Sequence, residues 1–237
     1  AMDVYGSDKP DLRIDLTAKD MTALFTDCEF EALRGQTVKM VDISDCKLTR
    51  KQIEKLLTDC EVQAGAKGYW FKVDEKDDLA GGIAKFVDKE AASKLLPLEP
   101  NTLVLVAGGE LATKLVGVMI KTFGPACEGH MDKERYEFCW IVDFPMYEIG
   151  DESGELEFCH NPFSMPQGGL SALENQDPLE ILAYQYDLVC NGIELSSGAV
   201  RNHDPEIMVK AFQLVGLGEE DVKAKFAAMY NAFCYGA

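Results

Sequence analysis

The stretch Tyr186-Asp187-Leu188-Val189-Cys190-Asn191-Gly192-Ile193-Glu194-Leu195-Ser196-Ser197-Gly198-Ala199-Val200-Arg201-Asn202-His203 decides how this chain is read. Asn191-Gly192 lies between two apolar runs, and the pair is the strongest short-range signal for a two-residue type I′ turn, because both central residues must tolerate positive φ. Such a turn sets Cys190 opposite Ile193 and Val189 opposite Glu194. Alternation then puts Asp187, Val189, Glu194 and Ser196 on one face, with the two carboxylates diagonal neighbours, roughly 7 Å between backbones. Two acids that close can share one divalent cation, and without a cation they repel. With Arg201 nearby in sequence, the arrangement suits a metal nucleotide and an anionic substrate. Many hairpins, however, carry two solvated acids and nothing else, so the residues alone leave both readings open.

Three further segments bear on the choice. They are Cys159-His160-Asn161-Pro162-Phe163-Ser164-Met165-Pro166, Cys139-Trp140-Ile141-Val142-Asp143-Phe144-Pro145-Met146, and Tyr5-Gly6-Ser7-Asp8-Lys9-Pro10-Asp11-Leu12-Arg13. Together with the hairpin they resemble the bacterial-type aspartyl-tRNA synthetases of class II. That family's hairpin typically reads Tyr-Asp-Leu-Val-x-Asn-Gly-x-Glu-Leu-Gly-Gly-Gly-Ser-x-Arg-x-His. Its His-x-Pro-Phe-Thr/Ser-x-Pro segment, its Trp-Val-x-Asp-Phe-Pro strand and the loop that leads into its inserted domain occur here in the family's order. The resemblance covers the whole chain. It departs at Ser196-Ser197-Gly198-Ala199, which replaces Gly-Gly-Gly-Ser, and at Asn161, where some members carry a second histidine.

The resemblance implies an α+β chain: a GAD-type α/β insertion domain plus part of the class II antiparallel-sheet catalytic domain. Residues 1–13 would be the catalytic-domain loop entering the insertion, 14–126 the insertion, and 127–237 the C-terminal part of the catalytic domain. After Tyr235-Gly236-Ala237 the family continues into its third motif, so an internal portion, inactive when isolated, is expected. The implied activity is ATP-dependent activation of aspartate and its transfer to tRNA. His160 and Arg201 would bind aspartate, Glu194 would contact ATP, and Asp187 with Glu194 would hold Mg2+. No side chain has a covalent catalytic role. The implied partners are aspartate, ATP and tRNA(Asp), with tRNA(Asn) left open, and a second copy in a homodimer. The competing reading is a non-catalytic tRNA-binding or assembly module of the GAD type, as in tRNA-dependent amidotransferase subunits. Such a module would not need Trp140 to Pro145, His160 or the hairpin.

Composition narrows the field independently. A chain of 237 residues with 47% hydrophobic content can bury a real core as one large or two modest domains. A net charge of −18 argues against a general nucleic-acid binder, since Lys and Arg supply most non-specific affinity for phosphate. Lys47, Lys51 and Lys55 would line one helix face, read as an ordinary solvated face. The 8 cysteines show no CxxC or paired spacing, which favours free thiols in a reducing cytoplasm. No apolar run reaches the roughly 18 residues of a membrane span, so a cytoplasmic protein without membrane partners is expected.

Along the chain, the apolar spacing predicts a helix over Asp20 to Phe30, a strand over Thr37 to Ile43, and a helix capped by Thr49 and Gln52. Tyr69-Trp70-Phe71-Lys72-Val73 reads as a strand whose aromatics are core rather than base-stacking. Asp88 caps a helix to Leu96. Leu103-Val104-Leu105-Val106 reads as a strand covered on both faces, and Gly108-Gly109 as its turn into a helix to Phe123, rather than a phosphate loop. His130 is read as a surface histidine. Downstream come a Trp140-bearing strand, a hairpin around Gly150 and Gly154, a helix from Pro178 through Ala183, and helices over Pro205 to Val215 and Glu219 to Phe233.

Overall fold

The computed structural model describes residues 1–235. The Gly236-Ala237 end, where the family would continue into its third motif, lies outside the described residues. The chain forms two compact units, Ala1–Phe138 with Cys190–Ile193, and Cys139–Val189 with the residues from Glu194 onward.

The first unit comprises α1 (Met2–Tyr5), β1 (Lys19–Asp20), β2 (Val38–Ile43), α2 (Arg50–Ala64), β3 (Gly68–Val73), β4 (Leu79–Ala80), α3 (Lys89–Ser93), β5 (Leu103–Gly108) and α4 (Ala112–Phe123). Its five strands form one sheet in the order β1-β2-β5-β3-β4, every neighbouring pair antiparallel. The apolar run of β5 explains its central place. Leu103, Leu105 and Ala107 pack with Ile53 and Leu57 of α2 and Leu115 and Met119 of α4. Val104 and Val106 pack on the opposite face with Met21, Phe25, Leu33 and Phe71. A strand buried on both faces does not require a parallel sheet; here loops and short turns supply the second cover. Each fully buried Leu, Val or Phe contributes about 1.5–3 kcal/mol relative to exposure.

The α2 boundaries follow from its ends. Thr49 Oγ1 accepts from the Gln52 N–H at 3.4 Å and Gln52 Oε1 accepts from the Thr49 N–H at 2.9 Å, a reciprocal cap worth about 1 kcal/mol. Gly65 closes the helix at φ 74° and donates to Glu61 O. Trp70 packs on the α2 and α4 side while Phe71 packs on the other, so neither ring is free to stack on bases. Gly108 ends β5 opposite Val38, and Gly109, at φ 91°, donates to Thr37 O at 2.9 Å and accepts from Ala112 N–H at 3.1 Å, so the turn into α4 begins at Gly109.

Three expectations fail here for physical reasons. The helix expected over residues 20–30 is a single 3-10 turn, Thr22–Phe25. Met21 N–H donates to Val38 O and Thr22 Oγ1 accepts from Val38 N–H, which ties the start of the turn to β2, while Phe25 O, which a longer helix would offer to Glu29 N–H, accepts from Gly35 N–H instead. Lys47 precedes α2 and pairs with Glu128 instead of sharing a helix face with Lys51 and Lys55. His130 is not a surface residue: it is 8% exposed, with Nδ1 2.8 Å from Asp15 Oδ1 and Nε2 2.9 Å from Ser44 O.

The second unit carries most of β6 (Phe138–Pro145), then β7 (Tyr147–Ile149), β8 (Leu156–Phe158), α5 (Gly169–Asn175), β9 (Leu182–Cys190), β10 (Ile193–Ala199), α6 (Pro205–Leu214), α7 (Glu219–Lys225) and α8 (Ala227–Cys234). Strands β10-β9-β6 form a three-stranded sheet in that order, and β7 and β8 make a separate antiparallel hairpin. Its core joins Met146, Tyr147, Leu173, Ile181 and Ala211, next to Met208, Phe212 and Val222 with the rings of Phe158, Phe163 and Phe226. Asp204 caps α6 by accepting from Glu206 N–H and Ile207 N–H, and Pro205 fills the first turn where its missing N–H costs nothing.

The helix expected from Pro178 through Ala183 is one 3-10 turn, Pro178–Glu180, and Leu182 already belongs to β9. The alternating burial of Ala183, Asp187 and Val189 is a strand period, and it outweighs the short helical spacing of Leu179, Leu182 and Ala183. The last helix is broken at Phe226, whose backbone leaves the helical region while its ring packs edge-on against Phe163 at 5.2 Å.

Candidate functional site

The site grows from the turn between β9 and β10. Asn191 and Gly192 take φ 53° and 78°, the left-handed pair that a two-residue hairpin turn demands. Asn191 fastens it: its N–H donates to Glu137 O at 3.2 Å, its Oδ1 accepts from Glu137 N–H at 3.0 Å and its Nδ2 donates to Arg135 O at 3.1 Å. A two-residue turn sets Val189 opposite Glu194 and keeps Asp187 on the same face. The two acids differ in depth, since Asp187 is 4% exposed and Glu194 lies at the surface.

β10 is an edge strand, and Ile193 through Ser197 are all exposed. Small side chains at Ser196, Ser197, Gly198 and Ala199 keep that edge low. Gly198 has a specific reason: a Cβ there would sit 2.6–2.7 Å from the Tyr186 ring. The Tyr186 ring in turn meets Trp140 edge-on at 5.7 Å.

A second strip, residues 163–167, is held between two neighbours. Met165 N–H donates to Val200 O and Asn202 N–H to Phe163 O on one side; on the other, Tyr184 N–H donates to Met165 O and Gln167 N–H to Leu182 O. Ser164 is thereby bridged to Arg201. Ser164 is buried while Arg201 is exposed, so a buried strip supports a guanidinium that reaches solvent. Asn161 Oδ1 accepts from Phe163 N–H at 3.0 Å and Asn161 O from Ser164 N–H at 3.2 Å, a turn that fixes the chain just after His160. The histidine is exposed and meets the Phe144 ring edge-on at 5.1 Å.

Asp143 is the residue that sequence reading missed. In β6, Phe138, Trp140 and Val142 are exposed, and strict alternation would expose Phe144 as well. Phe144 is instead buried, because Asp143 sits at φ 59° and shifts the phase of the strand by one residue. The Asp143 carboxylate accepts from Gln167 Nε2 at 2.7 Å. The available signal was an aspartate inside a strand, where that residue is depleted. Asn202 was also overlooked: it is fully buried, and neither polar atom of its side chain has a partner among the described residues.

Burial, reinforced by the Glu148 carboxylate, pushes the Cys159 thiol up to about 11, so it stays protonated and unreactive beside His160. Among the described residues no group of three or more His, Cys, Asp or Glu is gathered as a metal cage. The turn leaves two carboxylates, Asp187 and Glu194, on one face of the hairpin, and both are hard oxygen ligands. Magnesium bound to substrate phosphates uses one or two such groups and keeps its waters, so Asp187 and Glu194 fit it in kind.

The model of the tRNA synthetases class II (D, K and N) matches residues 1–237. The chain belongs to that family. A Streptomyces coelicolor protein named Aspartate–tRNA ligase is 48% identical to this class II chain over 100% of its length and 41% of the relative's own. An Aspartate–tRNA(Asp/Asn) ligase of Chlorobium phaeovibrioides is 44% identical over 100% of the chain and 40% of that protein. One of Zymomonas mobilis, with the same name, is 45% identical over 100% of the chain and 41% of that protein. The class II chain thus spans about two fifths of the curated relatives it matches. No helix among its described residues is long and apolar enough to cross a membrane.

Proposed function

We propose that the protein carrying this chain is an aspartate–tRNA ligase, which activates aspartate with ATP as aspartyl-adenylate and transfers the aspartyl group to the 3′ end of tRNA. The observation that carries this reading is the 48% identity over the whole chain to a protein named Aspartate–tRNA ligase. The second unit, which brings Asp187, Glu194, His160 and Arg201 onto a hairpin and an adjoining strip, agrees with it.

In such a reaction the α-carboxylate of aspartate attacks the α-phosphate in line and pyrophosphate departs, with no protein nucleophile. The protein positions groups and neutralises charge. Arg201 grips the side-chain carboxylate of aspartate with a two-pronged hydrogen bond that a lysine cannot reproduce. His160, held by the Asn161 turn and the Phe144 ring, lies against the amino acid. Glu194 would contact ATP and, with Asp187, would hold Mg2+, which would supply neutralisation of phosphate charge. The low edge of Ser196 to Ala199 lets substrate approach the backbone.

We assign residues 14–126 to a GAD-type insertion, residues 1–13 to the loop that enters it and residues 127–237 to the catalytic domain. Cytoplasmic location, a homodimer, tRNA(Asp) as acceptor and tRNA(Asn) as a possible second acceptor belong to the same proposal. The names of the Chlorobium and Zymomonas relatives support keeping tRNA(Asn) in view.

The test is aspartate-dependent ATP–pyrophosphate exchange by the protein that carries this chain, wild type against Arg201→Lys. Loss of a charge-assisted fork worth about 1.5–3 kcal/mol should raise KM for aspartate roughly 10- to 100-fold with KM for ATP little changed. Exchange that needs another amino acid, or an Arg201→Lys variant with normal aspartate KM, refutes the assignment.

A further inference from the structure

The loop after β2 and the loop after α4 run side by side and are tied at two places. Lys47 Nζ is 2.9 Å from Glu128 Oε2, and His130 Nε2 is 2.9 Å from Ser44 O. Cys46 falls between Ser44 and Lys47 on the first loop, and Cys127 directly precedes Glu128 on the second. Both are free thiols, 2% and 6% exposed, in the same core cluster. Their backbones are anchored: Cys46 N–H donates to Asn101 O, Cys127 N–H to Phe123 O, and His130 N–H to Cys127 O. Asp45, at φ 47°, turns the first loop so that Cys46 points back into the core.

The two sulfurs are hydrogen-bond partners. The Cys127 thiol donates to the Cys46 sulfur, and that bond, opposed by burial and aided by the Leu48 backbone, Lys72 and His130, holds Cys46 below the ordinary thiol range. The same bond, with burial, raises Cys127. Lys72 Nζ is fixed locally by donating to Cys46 O at 2.6 Å. Cys60, in the same core cluster, is raised by burial instead. Two hydrogen-bonded thiols on loops that are tied together beside them are placed as an attacking and a resolving cysteine.

We propose that Cys46 and Cys127 form a redox modification site, in which hydrogen peroxide oxidises Cys46 and Cys127 resolves it to a reversible disulfide that staples the two loops. In the first step the Cys46 thiolate attacks one peroxide oxygen and the O–O bond breaks, giving Cys46 sulfenic acid and hydroxide. In the second, the Cys127 sulfur attacks the sulfenic sulfur, the S–O bond breaks, and the oxygen leaves as water with the thiol proton. Two sulfurs lose one electron each and peroxide is reduced to two waters once hydroxide takes up a proton. A dithiol reductant reverses the product. Peroxide is small enough to reach thiols that bulkier oxidants would not.

The experiment treats the protein that carries this chain with hydrogen peroxide at neutral pH, blocks remaining thiols, and digests it without reduction. The expected result is a loss of about 2 Da, one linked peptide joining Cys46 to Cys127, and its disappearance with dithiothreitol. Cys60→Ser should leave the linkage intact. Cys127→Ser, checked for its fold by circular dichroism, should leave Cys46 as a sulfenic acid trapped by a 1,3-diketone. Should that variant not fold, the wild-type peptide map decides alone. Cys46 gaining two oxygens without a crosslink, a crosslink through any other cysteine, or no oxidation of either thiol overturns the proposal.

Discussion

Replacing Asp143 separates two effects that the structure superimposes, a left-handed backbone and a carboxylate that accepts from Gln167 Nε2 at 2.7 Å. Alanine at φ 59° meets the steric penalty of the left-handed region, about 1–2 kcal/mol, and forfeits an exposed hydrogen bond worth about 0.5–1.5 kcal/mol. Aspartate already bears part of the first cost, so Asp143→Ala should destabilise the second unit by about 1–3 kcal/mol. Glycine escapes the steric term but loses the bond and adds unfolded-state freedom of about 0.5–1 kcal/mol, placing Asp143→Gly near 1–2 kcal/mol. Asparagine tolerates the left-handed region and keeps an acceptor oxygen, so Asp143→Asn should fall within about 0.5 kcal/mol of the parent. The chain has 2 tryptophans, Trp70 in the first unit and Trp140 in the second. Urea unfolding in a Trp70→Phe background, read by Trp140 fluorescence, therefore reports the second unit. An alanine variant no weaker than glycine would refute the strain argument; an asparagine variant as weak as alanine would refute the hydrogen bond. In the protein carrying this chain, the alanine variant should also raise KM for aspartate, because the strained turn and the lost Gln167 bond loosen the backbone that seats Phe144 against His160.

Three other outcomes follow from the structure. Burial opposes charge on His130, but the Ser44 carbonyl and Asp15 outweigh it and hold the ring above the usual imidazole value of about 6.5. Its charged form therefore adds stability that is fully present below about pH 6.5 and disappears as pH rises through the folded value, so the urea midpoint gap between wild type and His130→Gln should shrink between acidic and alkaline buffer; a gap independent of pH would contradict this. Gly6→Ala should cost about 2–5 kcal/mol, since its Cβ would lie 2.5 Å from the backbone of Gly117 and Thr113 at φ 63°, whereas Gly35→Ala, at φ 67° with nothing within 4 Å, should cost only about 1–2 kcal/mol; equal losses in thermal unfolding would remove the close-approach argument. Asn202→Leu removes a buried amide without partners at nearly unchanged branching and should raise the urea midpoint of the second unit by about 1 kcal/mol equivalent, and a fall would mean that the amide is satisfied in solution.

The elements legible in the sequence are those set by local rules. The Thr49 and Gln52 cap, the Asn191-Gly192 turn and the doubly covered Leu103 to Ala107 strand each depend on residues within a few positions of one another, and all three are present. Where a distant partner decides, local reading fails. His130 bonds to Asp15 and Ser44, which no spacing around residue 130 could reveal. The spacing of Met21, Leu24 and Phe25 is helical, yet Gly35 N–H, ten residues on, takes Phe25 O and the helix stops after one turn. Cys46 and Cys127 look unrelated on paper because 80 intervening residues hide their proximity.

The candidate site shows the same division within a few residues. Its exposed groups, His160, Glu194 and Arg201, have chemistry that can be read from the motifs, whereas Ser164 and Asp143 stand in the same motifs with nothing in the sequence to say what they support. Ser164 is buried under Arg201 in a strip paired on both sides, and Asp143 alters the phase of β6 so that Phe144 can face His160. A solvent-facing side chain has many accessible rotamers, and fixing its base limits how many must be lost on binding. The support therefore bears on affinity as directly as the motif does. On that reasoning, variation at Asp143 or Ser164 should change KM for aspartate in the protein carrying this chain while His160, Glu194 and Arg201 are left intact, and the exposed groups alone are an incomplete guide to how well such a site binds.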